Sequence, residues 1–506
     1  MFAAFSCGPI ITPVPTTMWS GVLLAGALAF AGAADVTVSS LKLRNVTLMA
    51  YGANTPTSNG RNFTAPGMIA QSGFTHIRWP GGSSANQVFW NNDFSACPYF
   101  AQYESANDAS KWQWTQAAAF AAQHGLEVFW QVNAAVGFVC GPEAAAKLAV
   151  DWVQNATAQG IAMNYIEVGN ENYGTWEVPY ADMPQNVSAE AYAKVCSAVT
   201  RVLKEVKPSM SVGCVADFPR RGSTSTPFLD WNEKLLEVAG ADMDFLIIHE
   251  YYTKEKTGDI VPWNLVNYGC ASNLSASPNC GPHAVARAVA ADVAAYAPAR
   301  RSRLPVMMTE YNMESPHSYP TWAVVEGLFT AKMLGDSLTA GLMGSTFFAM
   351  AQPWRDPGGY RIYNCNGSSA YAPAYIFAIY TNVAPVGSWL LASKVLPSMN
   401  LSAFAFARAT GGEYGVVLVN TADEVQTVSL AGPWGTDKLS AMRFTFGASS
   451  DSVETFFAAK YAYNGVDATT APGPIPFGDI KPTTTMFAGS VVLPAASVVG
   501  LIISKA

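Results

Sequence analysis

An alternation of short apolar strands with helix-length segments, running from residue 47 to residue 380, limits the folds open to this chain more than any other feature. Eight runs read as strands: TLMAYGA (47–53), FTHIRW (74–79), LEVFWQVN (126–133), NYIEVGN (164–170), MSVGCVA (210–216), MDFLIIHEYY (243–252), LPVMMTEY (304–311) and MGSTFFAM (343–350). Each is short and rich in β-branched or aromatic residues. Segments 112–124, 142–159, 188–206, 227–239, 282–297 and 319–340 read as helices. Pro142 stands where a first-turn proline fits, and Ser188, followed by Glu190, reads as a helix start. Strands alternating with helices imply parallel βαβ units. Eight such units imply a closed (β/α)8 barrel with enlarged loops. An open, doubly wound sheet is the alternative. It commonly has fewer strands, and no glycine-rich phosphate loop follows the first strand here.

Past residue 385 the helical periodicity disappears. SAFAFARA (402–409), EYGVVLVN (413–420), KLSAMRFTF (438–446) and SVVGLIIS (497–504) alternate as strands and are separated by Gly, Pro, Asn and Asp. This pattern predicts an antiparallel β-sandwich over 386–506. The barrel is then 47–385, and residues 35–46 could add a strand to the sandwich. Residues 463–484, rich in Gly, Pro and Thr, read as a long loop.

The N-terminal segment reads as an address. Residues 18–34, MWSGVLLAGALAFAGAA, are apolar and end in small residues, with Ala31-Gly32-Ala33 resembling a cleavage site. Residues 1–34 therefore read as a secretory signal, which would carry Cys7 away, or as an uncleaved anchor. No later stretch reads as a membrane span. Seven Asn-x-Ser/Thr sequons, at Asn45, Asn62, Asn155, Asn186, Asn273, Asn366 and Asn400, fit an extracellular route. So do two cysteine pairs expected to form disulfides, Cys270 with Cys280 and Cys97 with Cys140, the latter two placed in neighbouring loops. Cys196 and Cys214 read as buried thiols, and Cys365 is left over. No metal-ligand spacing exists among the cysteines and five histidines. A net charge of −7 with no basic run excludes nucleic acid and anionic membrane as natural partners. Aromatic residues, 14 Trp and 21 Tyr among them, suit core packing and the flat apolar faces of sugars. A carbohydrate partner is expected, with no cofactor and no metal; the oligomeric state is open.

In a (β/α)8 barrel, function sits at the C-terminal ends of the strands. The second strand ends in Arg78-Trp79-Pro80-Gly81-Gly82, the third at Asn133 and the fourth in Gly169-Asn170-Glu171-Asn172. The sixth ends in His249-Glu250-Tyr251-Tyr252, the seventh in Thr309-Glu310-Tyr311-Asn312, and the eighth leads to Gln352 and Trp354. Glu171 and Glu310 lie on strands three apart around eight, so they face each other across the mouth. Hydrolysis of a glycosidic bond needs such a pair: one carboxylic acid protonates the leaving oxygen, and the other carboxylate attacks the anomeric carbon. The acid's pKa is expected to rise towards about 6. A separation of about 5–5.5 Å gives retention, and about 6.5–9.5 Å gives inversion. Asn170 is placed to bond a sugar 2-hydroxyl, and Tyr251 to bond Glu310. Arg78 reads either as a carboxylate-orienting group or as a structural ion-pair partner, and His249 either as an active-site group or as a core histidine. Asn133, Trp176, Gln352 and Trp354 complete the expected sugar contacts. Glu167, four residues back inside its strand, reads as structural.

These residues resemble a known family. YIEVGNENYGTWE (165–177) is similar to the Gly-Asn-Glu acid/base signature of the clan A glycoside hydrolases, and VMMTEYN (306–312) to their nucleophile strand. IRWPGGS (77–83) and IIHEYY (247–252) add two matches in the right order. The combination most resembles glycoside hydrolase family 51, the α-L-arabinofuranosidases. Family 79, the β-glucuronidases and heparanase-like enzymes, is second, and families 30 and 39 share the architecture. The resemblance implies a retaining mechanism with Glu171 as acid/base and Glu310 as nucleophile. It also implies Asn170 at the 2-hydroxyl, with Arg78 and Tyr251 as supports. A non-catalytic sugar-binding or wall protein on the same barrel is the alternative from another class.

Overall fold

The computed structural model describes residues 34–55, 69, 71–107, 112–218, 226–253, 266, 281–300, 304–314, 323–351, 360–363, 370–396, 400–435, 438–450, 460–467 and 481–506. Its first strand, β1 (Ala34–Asn45), belongs to the second domain. The next eight are β2 (Gly52–Asn54), β3 (His76–Trp79), β4 (Glu127–Val132), β5 (Tyr165–Val168), β6 (Ser211–Val215), β7 (Phe245–Thr253), β8 (Val306–Glu314) and β9 (Gly344–Phe347). They pair in parallel in sequence order, and β9 returns to β2 to close the barrel. The expected alternation is thus realised as a closed (β/α)8 barrel.

Between the strands lie helices Trp114–His124, Pro142–Ala158, Ala189–Val206, Trp231–Ala239, Gly281–Tyr296 and Val324–Ala340, with Ala372–Val383 after β9. Pro142 opens its helix, and the Ser188 hydroxyl accepts from the Ala191 amide as an N-cap. Three helices start two or more residues later than periodicity predicts, at Trp114, Trp231 and Val324. The first strand is shorter than expected: Thr47–Ala50 form a turn, and pairing begins at Gly52.

The second domain is built from β1 and ten later strands, β10 (Trp389–Leu396), β11 (Leu401–Ala407), β12 (Tyr414–Asn420), β13 (Gln426–Ala431), β14 (Leu439–Ala448), β15 (Tyr461–Tyr463), β16 (Val466–Asp467), β17 (Thr483–Phe487), β18 (Ser490–Leu493) and β19 (Ser497–Lys505). All pairs are antiparallel except β1 with β13. Alternate side chains, including Val36, Leu391, Val416, Leu418, Leu430 and Leu501, meet in a separate apolar core. The opposite side chains of β11, β12, β14 and β19, among them Phe404, Val417, Phe446 and Val498, join the barrel's own core. Helix Val324–Ala340 lies at this junction. A Cβ on Gly327 would sit 2.3 Å from the Phe446 ring, so only glycine lets the sheet approach that closely. The segment read as a loop over 463–484 instead contributes β16 and the start of β17 at its described ends.

Disulfides join Cys97 to Cys140 and Cys196 to Cys214. Cys140 closes a short helix, Ala135–Cys140, rather than lying in a loop. The second bridge overturns the reading of Cys196 and Cys214 as thiols. The inner face of helix Ala189–Val206 covers the outer face of β6, and the two buried residues meet with Cα atoms 6.2 Å apart, inside bridging range. Cys270, Cys280 and Cys365 lie outside the described residues, as do residues 1–33. No helix among the described residues is long and apolar enough to cross a membrane.

Candidate active site

Arg78, at the end of β3, is the centre of the barrel mouth, and all five of its N–H groups are engaged. Nε donates to Glu167 Oε2 at 2.7 Å. Nη1 donates to Asn54 Oδ1 at 3.0 Å and to Glu310 Oε1 at 2.6 Å. Nη2 donates to Asn170 Oδ1 at 3.0 Å and faces His249 Nε2 at 3.3 Å. Burial alone would lower the Arg78 pKa, but the charges of Glu167 and Glu310 outweigh it and hold the guanidinium cationic. Burial raises the pKa of Glu167, and Arg78 pulls it back. Arg78 gives all five N–H groups to protein partners, so it supports the neighbouring side chains and has no donor left for a substrate.

These bonds fix the histidine. Nε2 of His249 faces an Arg78 N–H and lies 3.0 Å from Thr309 Oγ1. It must accept there, so the ring proton resides on Nδ1. Nδ1–H then donates to Glu171 Oε1 at 3.0 Å. His249 therefore belongs to the bonded cluster at the mouth and is not an isolated core histidine. Its neighbour Thr309 occupies a bulge: Ile248 pairs with Met308, whereas His249 pairs with Glu310. The extra residue lets Thr309 and Glu310 both face the barrel interior.

Glu310, midway along β8, also accepts from the Tyr251 hydroxyl, 2.7 Å from Oε2. Burial and the Glu310 charge hold Tyr251 well above its ordinary pKa, so it remains a donor. Phe348 and Tyr360 wall Tyr251 in, with ring centroids at 6.5 and 5.5 Å.

Glu171 follows β5 through a backbone that few residues adopt. Gly169 has φ +83°, and a Cβ there would lie 2.0 Å from Asn172 Oδ1. Glu171 itself has φ +42°. A left-handed conformation costs a non-glycine residue roughly 1–2 kcal/mol, so neighbouring contacts must hold it. The turn that follows supplies one: the Trp176 indole N–H donates to Glu171 Oε2 at 2.8 Å, with the ring half exposed at the mouth. A carboxylate oxygen of Glu171, one of Glu310 and a ring nitrogen of His249 all lie within 4.8 Å of one another. Among the described residues this is also the one set that could hold a metal ion, although the proton on His249 Nδ1 occupies the position a metal would need.

Of the residues expected from sequence, Arg78, Asn170, Glu171, His249, Tyr251 and Glu310, together with Trp176, form one bonded cluster. Asn133 does not join it: its side chain donates to Val88 O and accepts from the Val136 amide, tying two loops together. Gln352 and Trp354 lie outside the described residues. Sequence reading missed Asn54, Thr309 and Glu177. Asn54 ends β2 one residue beyond the predicted strand, so its position was the available signal. Glu177 is buried and accepts from Ser83 Oγ, Asn86 Nδ2 and Asn170 Nδ2, at 2.6, 2.7 and 2.9 Å.

No protein-family model matches the chain, and no curated protein matches it in sequence. Solved structures do match in fold. A crystal structure of an arabinofuranosidase aligns with a TM-score of 0.67 at 14% identity, over 93% of this chain and 100% of that one. The arabinose complex of an α-L-arabinofuranosidase from Thermotoga maritima gives 0.66 at 15%, over 94% and 100%. A glycoside hydrolase family 44 xyloglucanase from Paenibacillus polymyxa gives 0.59 at 12%, over 93% and 99%. Across nearly its whole length, then, the chain has the barrel-plus-sandwich fold of these glycoside hydrolases.

Proposed function

We propose that the chain is a retaining glycoside hydrolase with Glu310 as nucleophile and Glu171 as acid/base, acting on α-L-arabinofuranosyl residues of wall polysaccharides or glycoprotein glycans. The carrying observation is that oxygens of the two carboxylates lie within 4.8 Å. That is short of the roughly 6.5–9.5 Å needed to seat a water for inversion. In the first step a Glu310 oxygen attacks the anomeric carbon, the glycosidic C–O bond breaks, and the leaving oxygen takes the Glu171 proton. In the second, Glu171 takes a proton from water, and the hydroxide displaces Glu310 and frees the sugar. Donors on both Glu310 oxygens, from Arg78 and Tyr251, orient it for attack. The Trp176 and His249 N–H groups receive the Glu171 carboxylate once its proton has left.

The arabinofuranosyl assignment rests on the sequence resemblance and on the fold shared with arabinofuranosidases over nearly the full length. A uronic-acid substrate would need basic or amide groups around its carboxylate, and Arg78, with all five N–H groups engaged, is not one of them. A glucanase-type activity is the second reading, supported by the family 44 likeness. Two disulfides suit an oxidising, extracellular setting.

A panel of aryl glycosides tests the substrate, and NMR of the first-formed product tests the stereochemistry. We expect turnover of the α-L-arabinofuranoside, with its anomeric configuration kept. Hydrolysis of the β-glucuronide instead, or an inverted first product, would overturn the assignment. Sugar binding without turnover of any glycoside would identify a binding protein. The acid/base role has its own check: Glu171→Ala should slow substrates with poor leaving groups by about 10²-fold or more, and activated aryl substrates far less.

A further inference from the structure

We infer that Glu177 is a positioning residue that sets the orientation of the Asn170 amide, and thereby the recognition of the sugar 2-hydroxyl; this rests on the glycosidase reading above. The side chain of Asn170 is held from both ends. Its Oδ1 accepts from Arg78 Nη2 at 3.0 Å, and one Nδ2 hydrogen goes to Glu177 Oε1 at 2.9 Å. Reversing the amide would set an NH2 group against the Arg78 guanidinium and an oxygen against the Glu177 carboxyl. The guanidinium and the carboxyl therefore select one of two otherwise similar rotamers. The second Nδ2 hydrogen is the one left for a substrate hydroxyl.

The surroundings show a built arrangement. Glu177 is 2% exposed, and Ser83 Oγ and Asn86 Nδ2 donate to its remaining acceptor sites. Asn86 Nδ2 also donates to the Asn170 carbonyl at 2.7 Å, and Asn86 Oδ1 accepts from Asn172. Asn170 is thus braced through backbone and side chain by one network. Burial, with the Glu171 charge next, pushes the Glu177 pKa up to about 8, and the three donors pull it down. A carboxyl is unfavourable in such a place unless its partners are matched to it, as these three are. One turn therefore serves both neighbours: Trp176 bonds Glu171, and Glu177 bonds Asn170.

Two readouts test this. The first needs no activity. Asn170→Asp puts a carboxylate oxygen against Glu177 and should lower the melting temperature. Adding Glu177→Gln restores a donor–acceptor contact of reversed polarity and should regain at least half of that loss. Equal losses with Glu177 and with Gln at that position would overturn the contact. The second compares an aryl glycoside with its 2-deoxy counterpart. Glu177→Ala should cut the preference for the 2-hydroxyl by about tenfold or more through kcat, with a much smaller loss on the 2-deoxy substrate, and add nothing to Asn170→Ala. An equal loss on both substrates, or an undiminished effect in the Asn170→Ala background, would show a merely structural role. If Glu177→Ala does not fold, the Asp/Gln pair decides. If the native protein cleaves neither glycoside, the glycosidase reading falls, while the melting measurements still decide whether Glu177 holds Asn170.

Discussion

The barrel buries carboxyl groups in two settings, and their contrast separates what serves the site from what does not. At the mouth, Glu167, Glu177 and Glu310 are each met by donors, from Arg78, from Ser83, Asn86 and Asn170, and from Arg78 and Tyr251 respectively. Behind β8, on helix Val324–Ala340, Glu326 is fully buried and neither of its oxygens has a hydrogen-bond partner. The two settings are one residue apart on β8. Glu310 points into the mouth, while Tyr311 packs on the other side against Phe329 and Phe347, with its hydroxyl unpartnered. The Glu326 charge is one of the causes that raise the Tyr311 pKa, after burial. Inside the mouth, donors meet the buried carboxyls and fix their orientation, although burial still raises Glu167 and pushes Glu177 up to about 8. Outside it, no donor meets the carboxyl, and burial pushes it up to about 8 as well.

The first way to break the comparison is to remove the proposed nucleophile. Glu310→Ala should reduce turnover by at least ~10⁴-fold, with the fold intact by circular dichroism. Residual activity within about tenfold of native would remove Glu310 from the nucleophile role. A second test strips the mouth of its donor. Arg78→Met leaves Glu167 and Glu310 buried without their cation and should cost about 3–5 kcal/mol of stability in chemical denaturation at neutral pH. If stability were unchanged, the claim that the mouth compensates its buried charge would fail.

The contrast also explains what could be read from the sequence. Strand–helix alternation is carried by local pattern, so the barrel was legible, and it brings Glu171 and Glu310 together at the mouth, although β8 runs on to Glu314 past the expected strand end. Arg78 and His249 were ambiguous because their roles depend on which partners arrive from other strands: Glu167 from β5, Glu310 from β8 and Asn54 from β2. Thr309 was hidden because a bulge breaks the alternation that assigns side chains to faces. Glu177 lies in a turn with no periodicity, and only the tertiary approach of Ser83 and Asn86 gives it a function. The Cys196–Cys214 bridge failed for the same reason, since a helix position and a strand position predict no distance between them. Glu326 looks like an ordinary first-turn glutamate of a helix. Its burial follows from the packing of that helix behind β8, beside Tyr311.

Glu326 gives the opposite sign from Arg78. Its folded-state pKa of about 8 lies above the ordinary 4.5, so between those values the folded state holds a proton that the unfolded state has released. The stability tied to this group is complete below pH 4.5 and is lost as pH rises through about 8. Glu326→Met, of similar volume, should therefore stabilise the protein by up to about 4 kcal/mol at pH 8 and change little at pH 4. The pH dependence should flatten only in part, because Glu177 titrates in the same window and remains. Denaturant titrations at both pH values measure this. A destabilised variant at pH 8 would mean that Glu326 has a partner in solution and that the two settings are alike.

The smallest expected effect is at the rim, where the two settings meet solvent. Trp176 holds Glu171 through a single hydrogen bond, and its ring is 46% exposed. Water can replace an indole N–H there, unlike the donors around Arg78, so the bond contributes little net energy. Trp176→Phe keeps the aromatic surface and removes only the donor. It should lower kcat on substrates with poor leaving groups by about threefold to tenfold, leave stability nearly unchanged, and act mainly on the first step, in which the Glu171 carboxylate is uncovered as its proton leaves. Comparing poor leaving groups with activated aryl ones separates the steps, since the activated ones need no proton. An equal loss on both would instead place the Trp176 bond in the second step. A loss as large as that of Glu171→Ala would show that the rim shares the water-excluded character of the buried mouth.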